Sequence, residues 1–354
     1  MKTRLPPKIT MPHGKLWSGP FSNTKRLSAK SLFTKKTWIR VAAAAAIITG
    51  IFITSKFIFF PKQQTNPIAN NQIKIPDVAP ASNKATLILS TGQQIILDSA
   101  KNGQLAKFGN TTITKTDSGK LLYAVTGAKS SPDETSFNEL TTPRGGIYEL
   151  ELPDGSEAWL NAASRIDYPT RFTGKNREVF IEGEVYFEVA HDAAHPFVVS
   201  LPAKTKDQGE RGHWLQIEVL GTHFNVNTYS EITKTTLLEG SIKITAHGTS
   251  KTIKPEEQAI SGFNGKGIEI DKSVDLDKVM AWRNGKIAIT DVSVQQLMSE
   301  ISRWYDMDVE YKGAVPEKQF YGTIRRDVPL STVLNALKTY GVETQVEGKK
   351  IIVQ

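Results

Sequence analysis

The sequence predicts a single transmembrane helix, then an all-β domain that is antiparallel and sandwich- or roll-like, then a small α+β domain of order βαββαββ. Three observations carry this prediction. Residues 41–60 form an apolar run with one charge. Strand-forming stretches punctuated by turn residues follow it, and near residue 290 the hydrophobic spacing changes from two residues to 3.6. The predicted segments are a short basic cytoplasmic tail (1–40), the membrane helix (41–60), a linker (61–84), a β-rich domain (85–275) and an α+β domain (280–354).

The positive charge of the chain is concentrated at one end. The formal net charge is +8, but residues 1–40 contain ten basic residues and no acidic one, which leaves 34 of the 44 Lys and Arg residues against all 36 Asp and Glu residues. A nucleic-acid-binding protein needs a basic face on a folded domain, so this distribution argues against that class. The chain has no cysteine, which excludes disulfides, thiolate catalysis and cysteine zinc sites.

Residues 41–60 have the length of a membrane span. As a helix, these twenty residues rise about 30 Å, which matches the hydrocarbon core of a bilayer. Lys56 lies close to the end of the run, where its side chain can extend to the headgroups. Because the basic residues precede the run, we expect the N-terminus in the cytoplasm and the later domains across the membrane. A cleaved signal peptide is the alternative, but the preceding basic region is too long for one.

Residues 61–84 contain four prolines and many amides without an apolar period. This composition predicts a flexible tether. A flexible segment of that length spans roughly 25 to 30 Å on average, so the folded part can stand away from the membrane.

Residues 179–189 show the clearest strand pattern of the β-rich domain. The alternate residues Val179, Ile181, Gly183, Val185, Phe187 and Val189 fall on one face, which predicts one strand with Glu182, Glu184 and Glu188 on its second face. The simplest interpretation of these glutamates is a solvent-exposed stripe.

One internal repeat is visible in the β-rich domain. Residues 86–100 match residues 148–163 when Gly92 is laid on Gly155. Each copy has apolar alternation, a turn at the glycine and a second strand, so each is predicted to form a hairpin. Two copies are too few for a solenoid.

A series of short motifs in the β-rich domain resembles the periplasmic domain of FecR-type anti-sigma regulators. The series covers about a hundred residues, and its specificity comes from the number of motifs in the same order. The motifs are Thr142-Pro143-Arg144-Gly145-Gly146, Leu152-Pro153-Asp154-Gly155-Ser156, Trp159-Leu160-Asn161, Tyr168-Pro169, Phe172, Arg177-Glu178-Val179, Gly183-Glu184-Val185-Tyr186-Phe187-Glu188-Val189, Pro196-Phe197-Val198-Val199, Leu220-Gly221-Thr222-His223-Phe224-Asn225-Val226 and Thr236-Leu237-Leu238-Glu239-Gly240.

The C-terminal part has helical spacing. Ser293 and Gln296 form a possible capping box, and apolar residues then line one helix face from Val294 to Ile301. A second helix with the same pattern ends at Gly341. Strands before, between and after these helices complete the order βαββαββ.

The C-terminal part resembles the C-terminal domain of Bacteroidetes FecR-like proteins, which is similar to the short N-terminal module of secretins and TonB-dependent transporters. The motifs are Ala281-Trp282, Gly285, Arg303-Trp304-Tyr305-Asp306 and Tyr321-Gly322. The resemblance implies a contact with the N-terminal module of a TonB-dependent outer-membrane transporter. Our candidate anchors are Trp304 and Tyr305, for which core packing is the alternative. The candidate edge strand carries Ile351, Ile352 and Val353.

The family resemblance also implies an extracytoplasmic-function sigma factor as the cytoplasmic partner. FecR-type regulators usually carry a helical sigma-binding domain before the span, longer than the tail found here. Residues 1–37 show no amphipathic period, and several prolines and glycines interrupt any helix. Either the start of the chain is misplaced or this module is missing.

Few residues suggest chemistry, and we predict no enzyme, no cofactor and no metal site. His191, Asp192 and His195 could ligate a metal, but they are read as solvated turn residues. Glu182 and Glu184 could form a glycosidase pair, but nothing in the sequence raises the pKa of either. The glycine-rich residues 262–267 lack the strand-to-helix context of a phosphate loop.

The dipeptide Gly221-Thr222 is the one candidate for a reaction. A threonine hydroxyl can attack the preceding carbonyl, and the resulting ester is open to hydrolysis. The family resemblance implies self-cleavage at such a position. An ordinary turn is the alternative.

These features predict a single-pass protein of the inner membrane, with its N-terminus cytoplasmic and its C-terminal domains periplasmic. The expected function is a signal transducer that relays the state of a transporter to a sigma factor. Two alternatives stay open: an envelope module that binds glycan or another ligand, and a degenerate paralogue without sigma-factor control.

Overall fold

The computed structural model describes residues 77–108, 111–116, 120–125, 136–202, 213–262 and 267–354. The chain divides into two compact units, Met1–Lys74 and Ile75–Gln354, and the described residues lie in the second. Within these ranges no helix is both long and apolar enough to cross a membrane. The predicted tail, the predicted span and residues 61–76 of the predicted linker lie outside the described residues.

Within the described residues, twenty strands build the first part of the folded unit, which we call the β-domain. The first ten are β1 (Ser82–Asn83), β2 (Thr86–Ile88), β3 (Gln94–Ile96), β4 (Gly103–Phe108), β5 (Thr111–Lys115), β6 (Leu121–Val125), β7 (Phe137–Thr142), β8 (Gly146–Glu151), β9 (Glu157–Leu160) and β10 (Ser164–Pro169). The second ten are β11 (Arg177–Glu182), β12 (Glu184–Glu188), β13 (Phe197–Pro202), β14 (His213–Val219), β15 (His223–Asn227), β16 (Ile232–Glu239), β17 (Ile242–Ala246), β18 (Thr249–Ile253), β19 (Gln258–Gly262) and β20 (Ile268–Asp271).

The strands form two large sheets. One has the order β20-β19-β16-β15-β12-β9-β8-β6-β5-β4, with β1 also paired to β8, and the other has the order β18-β17-β14-β13-β11-β10-β7-β2-β3. A single core of buried residues draws on both sheets, for example Leu140 and Phe197 from the second and Leu150 and Phe187 from the first. The mostly β prediction is confirmed. Most neighbours are antiparallel, but β1 with β8, β6 with β8 and β11 with β13 are parallel.

The prediction of one strand over residues 179–189 is wrong. β11 ends at Glu182 and belongs to one sheet, while β12 begins at Glu184 and belongs to the other. Gly183 between them has φ +88°, and a Cβ there would lie 2.5 Å from the Ser164 hydroxyl oxygen. Only glycine fits this crossover between sheets. Apolar residues recur at every second position on both sides of Gly183, but this pattern cannot show that the chain changes sheet there.

The predicted hairpin repeat is present. β2 pairs with β3 around Gly92, and β8 pairs with β9 around Gly155. The two glycines have φ of +82° and +81°, a conformation that glycine adopts without strain. The hairpins lie in different sheets.

The second part of the folded unit, which we call the α+β domain, has the predicted order βαββαββ. A connecting helix, α1 (Leu276–Val279), precedes it. Its elements are β21 (Lys286–Ala288), α2 (Val294–Tyr305), β22 (Asp308–Tyr311), β23 (Thr323–Arg325), α3 (Leu330–Thr339), β24 (Thr344–Glu347) and β25 (Lys350–Val353). The predicted capping box starts α2, because the Ser293 hydroxyl accepts from the Gln296 amide and the Gln296 side chain accepts from the Ser293 amide.

The expectation that residues 350–353 form an edge strand is wrong. The order of the small sheet is β22-β25-β24, so β25 pairs with a strand on each side. Ile351, Ile352 and Val353 are all buried, at 2% exposure or less. Three consecutive apolar residues are typical of a strand buried on both faces, and such a strand takes the centre of a sheet. Within the described residues, the free edges are those of β22 and β24.

Residues 77–84 are not part of a flexible tether, although the sequence places them in the linker. Val78 and Ala81 pack against the core of the α+β domain, and β1 pairs with β8 of the β-domain. Contacts made by a short extended segment with distant parts of the chain leave no pattern in its own composition.

Candidate functional site at the domain junction

The junction between the β-domain and the α+β domain holds a polar network around one buried cation. Arg326 follows β23 and is only 2% exposed. Its Nη1 donates to the Asn161 side-chain oxygen of the β-domain at 3.1 Å, and its Nη2 donates to Glu300 at 2.8 Å. The guanidinium also stacks on the Trp304 ring, 4.1 Å from its centroid. One buried side chain therefore joins the two domains.

Glu184 lies on the β-domain side of the same network. The carboxylate is buried and accepts from the side-chain nitrogens of Asn161 at 2.7 Å and Asn225 at 3.1 Å. Burial raises the pKa of Glu184 above its ordinary value, although the neighbouring amides act in the opposite direction. The predicted exposed stripe is thus wrong for Glu184, because the crossover at Gly183 turns this residue inward.

Asn225 continues the network toward the connecting segment. Its side-chain oxygen accepts from Trp282 Nε1 at 3.2 Å. Trp282 packs with Tyr186 and Met280 in a separate small apolar cluster. The next residue, Arg283, lies over the rings of Trp159 and Tyr186 at 4.2 and 4.5 Å. Cations over aromatic faces are attracted to the ring, so the connecting segment is fastened to the outer face of the β-domain.

Arg144 forms a second bridge between the domains. It lies in the turn before β8, and its guanidinium donates to Asp308 at 2.8 Å, to the Ser302 hydroxyl at 2.8 Å and to the Met307 carbonyl. The neighbouring Gly145 amide donates to the Arg303 carbonyl at 2.8 Å. These bonds satisfy the carboxyl end of α2, where free carbonyls favour a cation.

A polar cleft of about 440 Å³ opens beside the Glu184 network. It lies between the β-domain, the connecting segment and the α+β domain, and its lining mixes both charges and amides with apolar side chains such as Val279 and Trp282. The lining includes Asn227, Lys234, Gln258, Asp271, Asp291 and Arg303. Small-molecule sites are mostly apolar with a few polar groups, so this lining suits a strongly polar ligand.

The predicted aromatic anchors lie in the core of the α+β domain. Trp304 is 5% exposed, and its Nε1 donates to the Arg326 carbonyl at 2.9 Å. Tyr305 is 3% exposed, and its hydroxyl donates to the Val328 carbonyl at 2.7 Å. Burial raises the pKa of Tyr305 to about 12. Both rings therefore stabilise the domain and do not present a surface to a partner.

Gly221 and Thr222 lie in a closely packed turn between β14 and β15. A Cβ on Gly221 would lie 2.7 Å from His191 Nδ1. Thr222 is buried, and its hydroxyl donates weakly to the Ser241 carbonyl at 3.4 Å. At Gly240, an added Cβ would lie 3.0 Å from both the Gly221 carbonyl oxygen and the Thr222 hydroxyl. The self-cleavage hypothesis stays a prediction.

Of the three residues of the predicted histidine cluster, His195 and Asp192 form an exposed pair. His195 Nδ1 lies 2.8 Å from the Asp192 carboxylate, and both side chains are exposed. Bonds from His195 and from the backbone lower the pKa of Asp192. Across the part of the chain that the structure describes, no group of three His, Asp or Glu side chains is placed to hold a metal ion.

Sequence reasoning missed Arg326 and did not recognise what Arg144, Asn161 and Glu184 do. The last three lie within the motifs that carried the family resemblance. Their place in these motifs is the signal from which a shared site could have been inferred. Arg326 lies in no such motif, and a buried arginine looks like any surface arginine in a sequence.

Both sides of this junction lie within regions that match known protein families. The FecR protein family matches residues 138–243, which include Arg144, Asn161 and Glu184. The FecR C-terminal family matches residues 286–353, which include Arg326. Both regions are therefore similar to FecR-type anti-sigma regulators. The resemblance that the sequence motifs indicated is therefore confirmed.

Solved structures support this similarity. Two crystal structures, at 1.65 and 2.50 Å resolution, show a protein described as a "putative anti-sigma factor" from Parabacteroides distasonis ATCC 8503. That protein is 26% identical to this chain over the matched part, with a TM-score of 0.53. The match covers 61% of this chain and 98% of the solved chain. No curated protein matches the sequence.

Proposed function

We propose that this protein is an anti-sigma factor regulator of the inner membrane that relays the state of an outer-membrane TonB-dependent transporter to an extracytoplasmic-function sigma factor. The family match over both domains and the anti-sigma description of the solved relative support this role. In this proposal the N-terminus is cytoplasmic and the folded unit is periplasmic. The role requires no catalysis.

The observation that carries the proposal is the bridged domain junction. A relay must convert an event at one domain into a change at the other. Arg326 of the α+β domain bonds to Asn161 of the β-domain, and Arg144 of the β-domain bonds to Asp308 of the α+β domain. A displacement of α2 or β23 is therefore resisted by bonds to Asn161 and to the turn before β8. Packed interfaces of this kind respond as units and do not deform smoothly.

The two free edges of the three-stranded sheet, β22 and β24, are the natural place for the transporter module to bind. The Asp308 and Lys312 amides donate to β25, so by strand alternation the Val309 amide points away from the sheet. The Gln354 amide donates to the Glu343 carbonyl, and the same alternation places the Val346 amide on the outer side of β24. Either edge can accept a partner strand.

The test is capture of the full-length protein by the purified N-terminal module of a TonB-dependent transporter, combined with transcription from a promoter of the sigma factor. Val309→Pro and Val346→Pro are a matched pair, because each removes one outward amide that an edge strand can spare. We expect capture to be lost in one variant and kept in the other. Capture that survives both changes would refute strand addition.

A second test separates binding from relay. Arg144→Ala removes bonds between the domains, including the one to Asp308 at the start of β22, and leaves the outward amides of Val309 and Val346 in place. We expect this variant to be captured normally while the promoter stops responding to the transporter. A normal response in Arg144→Ala would contradict the proposed role of the junction.

The polar cleft favours a second candidate function, an envelope module that binds a polar ligand such as a glycan. Its lining residues Asn227, Lys234 and Asp271 offer donors and acceptors without a dominant apolar surface. Lys234→Ala with Asp271→Ala should abolish glycan binding in this case and leave transporter capture unchanged. Binding of peptidoglycan fragments by the unaltered protein, together with no capture, would favour this candidate.

A further inference from the structure

Residues 77–81, which lie just before the β-domain in the sequence, contact the α+β domain. Residues 77–81 run across the first turn of α3. The Leu330 amide donates to the Val78 carbonyl at 3.0 Å, and the Ser331 amide donates to the Asp77 carboxylate at 3.1 Å. The Ser331 hydroxyl donates to the other oxygen of the same carboxylate. The chain thus bonds to residues 254 positions away in the sequence.

The first turn of α3 needs such a ligand. Helices begin with amide groups that have no partner within the helix, and a polar side chain at the N-cap position usually satisfies one of them. The N-cap residue of α3 is Pro329, which makes no side-chain bond to the helix. The carboxylate of Asp77 takes this role from outside, and its negative charge also suits the positive end of the helix.

Few other contacts hold the segment. Val78 and Ala81 are partly buried against the α+β core, and the segment then forms two residue pairs with β8, Ser82 with Gly146 and Asn83 with Ile147. The first fully buried apolar residues come later, at Ala85 and Leu87. Regions with few buried contacts and exposed hydrogen bonds open locally at a low free energy.

We propose that residues 77–83 form a releasable latch, seated on the first turn of α3, that opens without unfolding either large sheet. The seat fits an extended segment led by a carboxylate, and its occupant is this chain itself. Release frees seven residues, which extend by at most about 25 Å. A partner that takes the first turn of α3 therefore lengthens the connection between the folded unit and the preceding chain. A role of the latch in signalling rests on the proposed function, whereas the existence of the latch does not.

Hydrogen–deuterium exchange on the purified full-length protein tests the latch directly. The amides of Leu330 and Ser331 report on the seat, and those of Ser82 and Lys84, which donate to the Gly145 and Ile147 carbonyls, report on the segment. Asp77→Ala should raise exchange at all four amides on the order of fivefold, the effect of losing one helix cap. Amides of the central strand β7 should keep their protection. Asp98→Ala, at an exposed acid of a turn, is the matched control and should change none of them.

A second variant separates release of the latch from fraying of the helix. Ser331→Glu places a negative charge where the helix end favours it but repels the Asp77 carboxylate. We expect faster exchange at Ser82 and Lys84 with full protection in the later turns of α3. Unchanged exchange in both Asp77→Ala and Ser331→Glu overturns the latch, and so does an equal rise in β7, which shows that the segment opens only when the whole unit unfolds. Neither sigma factor nor transporter is needed, so failure of the proposed function does not affect this result.

Discussion

Replacing Arg326 with alanine tests the structural role of the domain junction. The side chain is buried, and four interactions end with its removal: the ion pair with Glu300, the hydrogen bonds to Asn161 and to the Trp282 carbonyl, and the stacking on Trp304. The Asn161 side-chain oxygen keeps its bond from the Ala162 amide. The change therefore removes the side-chain bond between the domains and leaves the Glu300 carboxylate without its cation.

The expected loss in the free energy of unfolding is about 3 kcal/mol. Breaking a buried ion pair costs roughly 3 to 5 kcal/mol, and a cation over a ring adds about 1 kcal/mol. Two features reduce the total. The Glu300 side chain is 27% exposed and can turn to water. Within the described residues the Arg326 Nε makes no hydrogen bond, so burying this nitrogen costs free energy in the unaltered protein, and the variant removes that cost.

Urea unfolding followed by tryptophan fluorescence measures this loss in the full-length protein. Arg325→Ala is the matched control, because Arg325 is the preceding residue and its side chain is 75% exposed in a surface ion pair with Asp327. Surface pairs of this kind contribute little. The reasoning about the junction fails if Arg326→Ala is no more destabilising than Arg325→Ala.

Three further predictions concern acid stability, cleavage and topology. Burial raises the pKa of Glu184 above its ordinary 4.5, so the folded state keeps a proton that the unfolded state loses, and the free energy of unfolding falls as pH rises from 4.5 through the folded pKa. Glu184→Gln should remove this decline in the free energy of unfolding, measured by urea unfolding across that pH range. A parallel decline in the variant would contradict the prediction. Purified protein should show fragments that end at Gly221 and start at Thr222 by mass spectrometry, and Thr222→Ala should show none; intact mass alone in the unaltered protein argues against cleavage. A reporter that works only in the periplasm should be active when fused after Gln354, and one that works only in the cytoplasm should be silent; the reverse pattern would overturn the topology.

Patterns that act over neighbouring residues were sufficient to predict much of the fold. The change from a two-residue to a 3.6-residue period located the α+β domain and its element order. The capping box at Ser293 and the hairpins at Gly92 and Gly155 follow from bonds and backbone angles within a few residues of each other. Such features depend on local geometry, so they are present in the sequence itself.

The candidate site was predicted poorly because it depends on contacts between distant segments. Trp304 and Tyr305 were candidate partner anchors with core packing as the alternative, and their polar atoms bond to Arg326 and Val328 in the core. An aromatic residue near a helix end has the same local pattern in both situations. The choice between them depends on what packs against it.

The sequence by itself determined the mostly β class of the first domain, the element order of the α+β domain and the resemblance to FecR-type regulators. Only the tertiary structure decided that the chain changes sheet at Gly183, that β25 lies at the centre of its sheet, and that Arg326 and Asp77 bond to segments far away in the chain. Hydrophobic periodicity records which face of an element is buried and does not record what covers that face. Pairing between strands and burial of a charge depend on the free energy of the whole assembly of elements, and no local pattern reports that quantity.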